Sequence, residues 1–584
     1  MNERWKLDAL YPAPDAPAIA EDMAALQREC AAMRAFAERE PGEDRARYAR
    51  EYFALLEGIT ALAEKLGVYA SLRQAADTGD GDAMTLLEQV SAALSTIAGA
   101  TAAVERTIAA SPPAQERIAA DDALRPYEYL LRRIRSDARY LLPPREEELL
   151  ARMTMSGSDA WEQLHDTITA GLSVPYRGGT ETLSSIRNLA SSPDPAVRRE
   201  AYEAELAAYA RIEDAGAFAL NSIKLETVTQ CSLRGFDSAL DRSLVQAHMK
   251  RETLDALFAA MEEYMPVFRR YLRAKGRALG HDNGLPWYDL FAPMGKPGRT
   301  YTPEQARETL LEVFTPFDDE VAGVIRRAFD EEWIDFYPRR GKVGGAFCCM
   351  VYGARQSRVL TNFSGQFSDL VTLAHELGHA FHNEMLFDHP IICKDEPMPL
   401  AETASTFNEN VLVSEILRHT RDPQERLALI ENQLADACQI LCDIDSRFRF
   451  EKGVIEDRAS GFMPAAELCR RMLQAQEESY GDGLDPTVRH PYMWLCKGHY
   501  YSGSLSYYNF PYAFGGLFAR GLYAMYREEG AAFVPKYKQM LRATTVMDAE
   551  EAAALCGADL TDRAFWTRGL ESYREEIDEF ISLL

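Results

Sequence analysis

Two histidines and a glutamate near the middle of the chain could hold a metal ion and activate water beside it. His375, Glu376 and His379 form the pattern H-E-x-x-H within the amphipathic run DLVTLAHELGHAFHNEML. Residues four apart lie one above the other on a helix, so both imidazoles can reach one ion. Glu376 is adjacent to the first histidine and can act as a base toward water at the metal without binding the metal itself. Because this pattern arises by chance in roughly one chain of this length in a hundred, it needs a third ligand to support it.

A catalytic zinc ion takes three protein ligands and keeps its fourth position open. A third histidine in the arrangement H-x-x-G-x-x-H would require glycine at position 382, but the chain has His382 there and Met385 three residues later. His382 itself lies about 10.5 Å along the helix axis from His375, which is too far for one tetrahedral ion. We therefore interpret His382 as a packing residue or as one that supports a ligand.

Among the acidic residues downstream, Glu402 is the favoured third ligand. It falls in the first turns of a second predicted helix, PLAETASTFNENVLVSEIL, which could pack antiparallel to the first helix and present the carboxylate to the ion. Glu409 follows two turns later on the same face and is suited to orient a ligand imidazole. The other acidic candidates face away on the motif helix or fall in a predicted turn. They are Glu384, Asp388, Asp395 and Glu396.

The elements that must position these side chains are predicted to be mostly helices. Apolar residues recur at three- and four-residue spacing from about residue 16 to 140 and again from about residue 194 to the C-terminus, which is the period of a helix. Segment 341–365 is interrupted by glycine and rich in Val, Phe, Tyr and Thr, which predicts two or three short strands. A hairpin is also predicted in SVPYRGGTETL, with Gly178-Gly179 at its turn. The predicted fold class is mainly α, with a small β-sheet next to the motif helix.

Composition argues against several classes of partner. The 584 residues include 64 Lys+Arg and 90 Asp+Glu, a formal net charge of -26, without a Lys/Arg-rich run. Nucleic acid and an anionic membrane surface are therefore not expected as partners. The N-terminus lacks the apolar core of a secretory signal, and no stretch approaches the ~18 apolar residues that span a bilayer. Ten scattered cysteines without a CxxC pair fit reduced thiols, so we expect a cytoplasmic protein.

Several segments resemble those of the oligoendopeptidase F family, within the thimet-oligopeptidase-like zinc metallopeptidases. They are HELGHAFH at 375–382, LAETASTFNE at 400–409, GKVGGAF at 341–347, GHYYSGSLSYYNFPYAFGGLF at 498–518 and the opening WKLDALYP. The resemblance implies two mostly helical lobes that flank a deep substrate channel. It also implies an N-terminal helical lobe at 1–190 and a catalytic zinc metallopeptidase region at 191–584.

The resemblance assigns roles to the residues of the H-E-x-x-H segment and its partners. It implies that His375, His379 and Glu402 hold one zinc ion per chain. It implies further that Glu376 is the catalytic base and that Glu409 is the outer carboxylate.

The resemblance also implies two sets of residues that contact the substrate. Gly345, Ala346 and Phe347 match a strand edge that pairs with the substrate backbone. The Tyr/His-rich tail matches a segment that closes over the substrate and contacts the scissile carbonyl. The residues expected to do so are His499, Tyr508 and Tyr512, with Tyr501 or Tyr507 as substitutes.

The activity implied by the resemblance is zinc-dependent hydrolysis of internal bonds in short oligopeptides. A deep channel would admit only short, unfolded peptides. Two alternatives remain open. An exopeptidase with the same zinc site would need a fixed charge to hold a substrate terminus, and no motif shows one. A catalytically silent helical peptide-binding protein would have little reason to keep Glu376 beside both histidines.

Overall fold

The computed structural model describes residues 3–110, 116, 118, 120–296 and 298–584. In this part of the chain the architecture is mainly helical, with two small sheets. The chain divides into two compact units, and each unit is assembled from three segments of the sequence. The two units alternate along the chain, whereas the predicted division into 1–190 and 191–584 follows sequence order. The units therefore do not test this division, which stays a prediction.

The first unit comprises Met1–Arg139, Gly298–Ile416 and Tyr526–Gly557. Its helices are Pro17–Ala37, Arg45–Ala76, Gly81–Ser95, Ala98–Ala109, Glu128–Asp137, Pro303–Phe314, Asp319–Asp330, Phe367–Leu386, Met398–Ala401, Phe533–Ala543, Ala549–Ala554 and most of Thr403–His419, with 3-10 turns at Asp122–Tyr127, Tyr352–Ala354, Ile391–Cys393 and Gly530–Ala532.

The longest of these helices, Arg45–Ala76, shows why this part of the sequence folds as predicted. The side chain of Asp44 accepts a hydrogen bond from the Arg47 amide at 2.9 Å and caps the first turn. Its apolar residues recur with helical period and are buried in the core of the unit, among them Tyr52, Ile59 and Leu66. The predicted helical pattern at the N-terminal end of the chain is therefore confirmed.

A three-stranded sheet in the same unit lies against helix Phe367–Leu386, which we call the motif helix. Strand β1 (Ile334–Asp335) pairs parallel with β3 (Gln356–Leu360), and β2 (Phe347–Val351) pairs antiparallel with β3, in the order β1-β3-β2. Two strands thus lie within the segment for which two or three were predicted.

Contacts of single side chains show how the motif helix packs on this sheet. The Asn383 amide of the helix donates a hydrogen bond to Ser357 Oγ in β3 at 3.0 Å and lies 3.8 Å from Cys348 Sγ in β2. The next residue, Cys349, packs against the core of the unit on the other face of the strand. The small sheet beside the motif helix, and with it the predicted fold class, is confirmed.

The N-terminal WKLDALYP segment packs against this sheet. The Lys6 amide donates to the carbonyl of Glu332 at 2.9 Å, and the Lys6 carbonyl accepts from Arg358 Nε in β3 at 2.6 Å. The Trp5 ring packs against Phe347 at a centroid distance of 6.2 Å. The beginning of the chain therefore supports the strands that adjoin the motif helix.

The second unit comprises Tyr140–Pro297, Leu417–Met525 and Ala558–Leu584. Its helices are Pro144–Ser156, Ser158–Ala170, Leu183–Asn188, Pro195–Tyr209, Glu213–Arg234, Ala239–Gln246, Arg251–Ala278, Pro423–Cys438, Ile444–Arg458, Ala465–Tyr480, Met493–Cys496, Arg563–Leu583 and most of Phe510–Glu529, with a π-helical turn at Gln439–Asp443 and 3-10 turns at Leu189–Ser191, Trp287–Asp289, Gly481–Gly483 and Gly498–Tyr501. None of the described helices in either unit is sufficiently long and apolar to cross a bilayer.

The predicted hairpin lies in this unit, and its turn differs from the prediction by one residue. Ser173–Tyr176 pairs antiparallel with Gly179–Thr182, so Gly179 is already in the second strand, opposite Tyr176. The turn consists of Arg177 and Gly178, which have φ values of +48° and +81°. A two-residue turn of this kind needs positive φ at both central residues, and the strand pairing places them at this pair. The predicted hairpin is confirmed. Of the two glycines predicted at its turn, Gly178 lies in the turn, whereas Gly179 begins the second strand.

Candidate metal centre

The motif helix begins at Phe367, two residues before the amphipathic run identified in the sequence. Reciprocal hydrogen bonds between the Gln366 and Asp369 side chains and backbones close its N-terminus as a capping box. Leu373 and Leu377 are buried on its inner side. The helix is thereby fixed in rotation, and the two histidines of the motif occupy its less buried side.

Three ligand-type atoms from His375, His379 and Glu402 converge on one point. The two histidine Nε2 atoms are 3.2 Å apart, and Glu402 Oε2 lies 3.1 Å from Nε2 of His375 and 3.4 Å from Nε2 of His379. Zinc bonds of about 2.0–2.1 Å in a tetrahedron place the ligand atoms about 3.3–3.4 Å apart. The three atoms therefore match three corners of a zinc-sized tetrahedron, and the donor set fits a divalent metal ion.

Glu402 reaches this cluster from a break between two helices. It follows the single turn Met398–Ala401 and directly precedes helix Thr403–His419, which we call the carboxylate helix. The Ser405 hydroxyl donates a hydrogen bond to Glu402 Oε2 at 3.0 Å. Although burial would raise the pKa of Glu402, hydrogen bonds from His375 and His379 hold this pKa well below its usual range. The carboxylate is therefore ionised and oriented, as a metal ligand must be.

Glu409 supports the first histidine from the carboxylate helix. His375 Nδ1 forms a short hydrogen bond with Glu409 Oε1. An ionised carboxylate can only accept, so Nδ1 carries the proton and Nε2 faces the cluster. Burial opposes protonation of this ring, but the bonds to Glu402 and Glu409 raise the pKa of His375 to about 10 in the absence of metal.

Glu376 lies beside the cluster without joining it. Glu376 is only 5% exposed. Burial raises the pKa of Glu376, while the charges of His375 and His379 oppose that rise. A buried carboxylate with increased basicity beside a group of metal-ligand side chains is suited to take a proton from water.

His382 does not join the cluster. Its Nε2 lies 2.8 Å from Thr544 Oγ1, and the Thr544 hydroxyl donates to the carbonyl of Leu541. The histidine must then be the donor at Nε2, which leaves Nδ1 unprotonated. Burial lowers the pKa of His382 to about 3. This residue is a neutral packing histidine, and a role in supporting a ligand stays a prediction.

The residues expected to pair with substrate lie at the exposed edge of the sheet. Phe347 begins β2, which among the described strands is hydrogen-bonded only to β3, and Gly345 and Ala346 directly precede it. The Asn362 amide donates to the carbonyls of Val343 at 3.0 Å and Gly345 at 2.8 Å. Asn362 therefore holds in place segment 343–345, which leads into the edge strand, and no motif in the sequence marks this residue.

The three aromatic residues of the tail come together in the second unit. The ring of His499 lies 4.8 Å from Tyr508 and 6.0 Å from Tyr512, and the two tyrosine rings are 5.6 Å apart. His499 and Tyr512 are exposed and Tyr508 is half-buried. The cluster thus lies at an accessible surface.

The two tyrosines considered as substitutes have structural positions instead. Tyr501 is fully buried and stacks on His165 at a centroid distance of 3.7 Å. Tyr507 is 2% exposed and packs against Phe448. Neither is available to a ligand in this conformation.

The helical fold and the His-His-Glu cluster are those expected of a metallopeptidase, and comparisons with known proteins specify the family. The model of Peptidase family M3 matches residues 188–572, and that of Oligopeptidase F matches residues 113–173. The chain belongs to peptidase family M3.

Relatives and solved structures agree with this assignment. The chain is 24% identical over 599 residues to oligopeptidase PepF of Bacillus subtilis, with 100% of this chain and 87% of that protein covered. It is 26% identical over 472 residues to an oligoendopeptidase F homolog of Lactococcus lactis, with coverages of 79% and 77%. The fold is shared with oligoendopeptidase F of Enterococcus faecium, at a TM-score of 0.69, 21% identity and coverages of 97% and 99%. It is also shared with a candidate peptidase of Chlamydophila abortus, at a TM-score of 0.85, 19% identity and coverages of 100% and 98%.

Proposed function

We propose that this protein is a zinc-dependent endopeptidase that hydrolyses internal bonds of short oligopeptides. The observation that carries the proposal is the convergence of His375, His379 and Glu402 on one point, with Glu376 beside them, in a chain of family M3. The names of the relatives, which include oligoendopeptidases, support the choice of short peptides as substrates.

We assign His375, His379 and Glu402 as the protein ligands. A bound zinc ion would supply Lewis-acid chemistry, which polarises the peptide carbonyl and lowers the pKa of water. Glu376 takes the proton of the attacking water and passes it to the leaving nitrogen. Glu409 keeps the Nδ1 proton on His375, so that the Nε2 lone pair of this ring is directed toward the metal.

The remaining residues of the proposal bind and polarise the peptide. The strand edge at Gly345–Phe347 pairs with the substrate backbone by adding a strand to β2. His499, Tyr508 and Tyr512 donate hydrogen bonds to the oxyanion that develops on the carbonyl, and each such donor contributes about 3 kcal/mol to transition-state stabilisation. The Gly/Ser-rich tail closes on the substrate to bring these donors to it.

The decisive experiment uses an internally quenched peptide with both ends blocked. We expect cleavage that stops on zinc chelation and returns when zinc is restored. Glu376→Gln should retain zinc and lose about 10²–10⁴-fold in kcat. Glu384→Gln is the matched control, because Glu384 is on the same helix but pairs with Arg327 at 3.1 Å, away from the cluster. A zinc-loaded Glu376→Gln enzyme with unchanged kinetics refutes the base assignment, and cleavage of free-ended peptides alone indicates an exopeptidase.

A second variant tests the ligand set. Glu402→Ala should lose metal, because two histidines alone bind zinc much more weakly than a three-ligand site. Elemental analysis of purified protein gives the zinc content per chain. Full occupancy in Glu402→Ala would remove Glu402 as a ligand.

A further inference from the structure

Charged residues of helix Ile444–Arg458 contact the segment that carries the aromatic cluster of His499, Tyr508 and Tyr512. Arg447 Nη2 lies 3.2 Å from His499 Nδ1. Arg447 is only 7% exposed, and its guanidinium also faces Asp443 Oδ2 at 3.6 Å. No motif in the sequence marks this arginine, which is 52 residues from the histidine.

The direction of this hydrogen bond determines the state of the imidazole. A guanidinium has five N–H donors and no acceptor. His499 Nδ1 must therefore accept, and the proton of the neutral ring must be on Nε2. Protonation of Nδ1 would oppose two N–H groups and place two cations in contact.

We infer that Arg447 is a positioning residue that locks His499 as a neutral imidazole with its proton on Nε2, ready to donate to the substrate carbonyl. The inference rests on the proposed function, because it requires that His499 contacts the substrate. In this state His499 can donate a hydrogen bond from Nε2 without first becoming a cation.

The other charged groups that face His499 reinforce this state. Lys497, on the segment of His499 itself, adds a second positive charge, and Lys497 Nζ is 3.9 Å from Asp443 Oδ2. Glu451, one turn after Arg447, has the opposite effect, but Lys224 pairs with it at 2.8 Å in a buried contact. Burial, Arg447 and Lys497 together lower the pKa of His499 below its ordinary value.

The same face of the helix also fixes the tyrosines. Glu451 Oε2 accepts a hydrogen bond from the Asn509 amide at 2.9 Å, and Asn509 Oδ1 accepts from the Phe510 amide at 2.7 Å. Asn509 directly follows Tyr508 and lies three residues before Tyr512. One helix face, through residues one turn apart, therefore positions both the histidine and the tyrosines of the cluster.

The test compares kcat/KM of zinc-loaded enzyme at pH 6 and pH 8. In Arg447→Met the pKa of His499 should rise toward the ordinary histidine value of about 6.5, at which only about a quarter of the rings are neutral at pH 6 and nearly all at pH 8. We therefore expect Arg447→Met to lose up to about fourfold more activity at pH 6 than at pH 8. In a His499→Gln background this extra loss should vanish, because no imidazole remains to titrate.

Two further variants separate the control of the His499 tautomer by Arg447, which we call the lock, from a structural effect. Arg449→Met removes an arginine of the same helix that instead pairs with Asp445 at 2.7 Å and Glu262 at 2.6 Å, and should leave the pH ratio unchanged. Arg447→Lys retains a cationic donor and should restore the wild-type ratio. If Arg447→Met does not fold, as judged by circular dichroism and zinc content, Arg447→Gln takes its place and should show the same extra loss at pH 6, because its amide is uncharged and can accept a hydrogen bond from a protonated Nδ1.

The outcomes distinguish the two levels of the proposal. If His499→Gln reduces kcat/KM but the Arg447 variants keep the wild-type pH ratio, the lock is overturned and the proposed function stands. If His499→Gln has full activity at both pH values, the role of His499 in the proposed function and the lock both fall.

Discussion

Gly378 of the motif helix lies directly against the backbone of Ser405 in the carboxylate helix. A Cβ atom at Gly378 would be 2.6 Å from Ser405 Cα and 2.7 Å from the carbonyl oxygen of Ala404. Both obstructing atoms belong to the backbone and cannot rotate aside. Only a residue without a side chain permits this approach, which brings Glu402 within reach of the two histidines.

Gly378→Ala should therefore weaken the metal site although it changes no ligand. The helices must separate by a few tenths of an ångström or more, which we expect to lower zinc affinity by about tenfold and stability by about 1–3 kcal/mol. Competition with a chelator measures the zinc Kd. Gly323→Ala is the control, because a Cβ at this helical glycine meets open space, and it should leave the Kd unchanged. An unaltered Kd in Gly378→Ala would show that the close approach does not position Glu402.

Glu409 should tune the metal site through the imidazole of His375. Glu409→Ala removes the acceptor of the Nδ1 proton, so the ring can rotate and change tautomer, and we expect zinc affinity to fall by about 10–100-fold. Glu409→Gln keeps an acceptor oxygen without the charge and should fall between wild type and alanine. The same chelator competition measures all three proteins. Equal Kd values for wild type and Glu409→Ala would mean that another group orients His375.

The metal site was more predictable from sequence than the residues that position the proposed substrate-contacting groups. Helix geometry alone brings His375 and His379 to one face. Glu402 was predicted in the first turns of the next helix, but it lies in the break directly before that helix. Local patterns of this kind reflect the backbone period, which is the same in every helix. Arg447 and Asn362 had no such signal, because their partners are set by tertiary packing of distant segments. The spacing of residues in a single sequence does not reveal which distant segments pack together, so these contacts could not be predicted.

His382 should make stability depend on pH. Burial lowers its pKa to about 3 in the folded state, whereas the unfolded chain binds a proton near the ordinary value of about 6.5. Between these values the unfolded state binds more protons, so stability is complete above about pH 6.5 and decreases as the pH falls. From pH 7 to pH 5 this residue alone costs about 2 kcal/mol.

His382→Gln should remove this part of the pH dependence. Metal-free protein is used, so that loss of zinc in acid does not interfere. Because the chain has two compact units and need not unfold in one step, hydrogen exchange of peptides from the motif helix reports the local stability. His389→Gln is the control, since His389 is in the same stretch and bonds the carbonyl of Arg542 at 2.6 Å. An identical pH dependence in wild type and His382→Gln would contradict the assignment.

Asn362 should control substrate binding without taking part in the chemistry. Its amide holds the carbonyls of Val343 and Gly345, and each hydrogen bond contributes about 0.5–1.5 kcal/mol. In Asn362→Ala, segment 343–345, which leads into β2, loses these two hydrogen bonds. The peptide must then order this segment when it binds, which we expect to raise KM by about tenfold. Since the pairing with the edge strand is the same in the ground state and in the transition state, kcat should change less than about twofold.

The control for Asn362 is Gln356→Ala, because Gln356 is at the opposite end of β3 and its amide bonds Glu331 at 3.0 Å. Steady-state kinetics with the blocked peptide separate KM from kcat for both variants. A loss in kcat at constant KM would place Asn362 in the chemical step. Unchanged values of both in Asn362→Ala would mean that the substrate does not use this strand edge, because the loss of two hydrogen bonds that order it could not then be without effect.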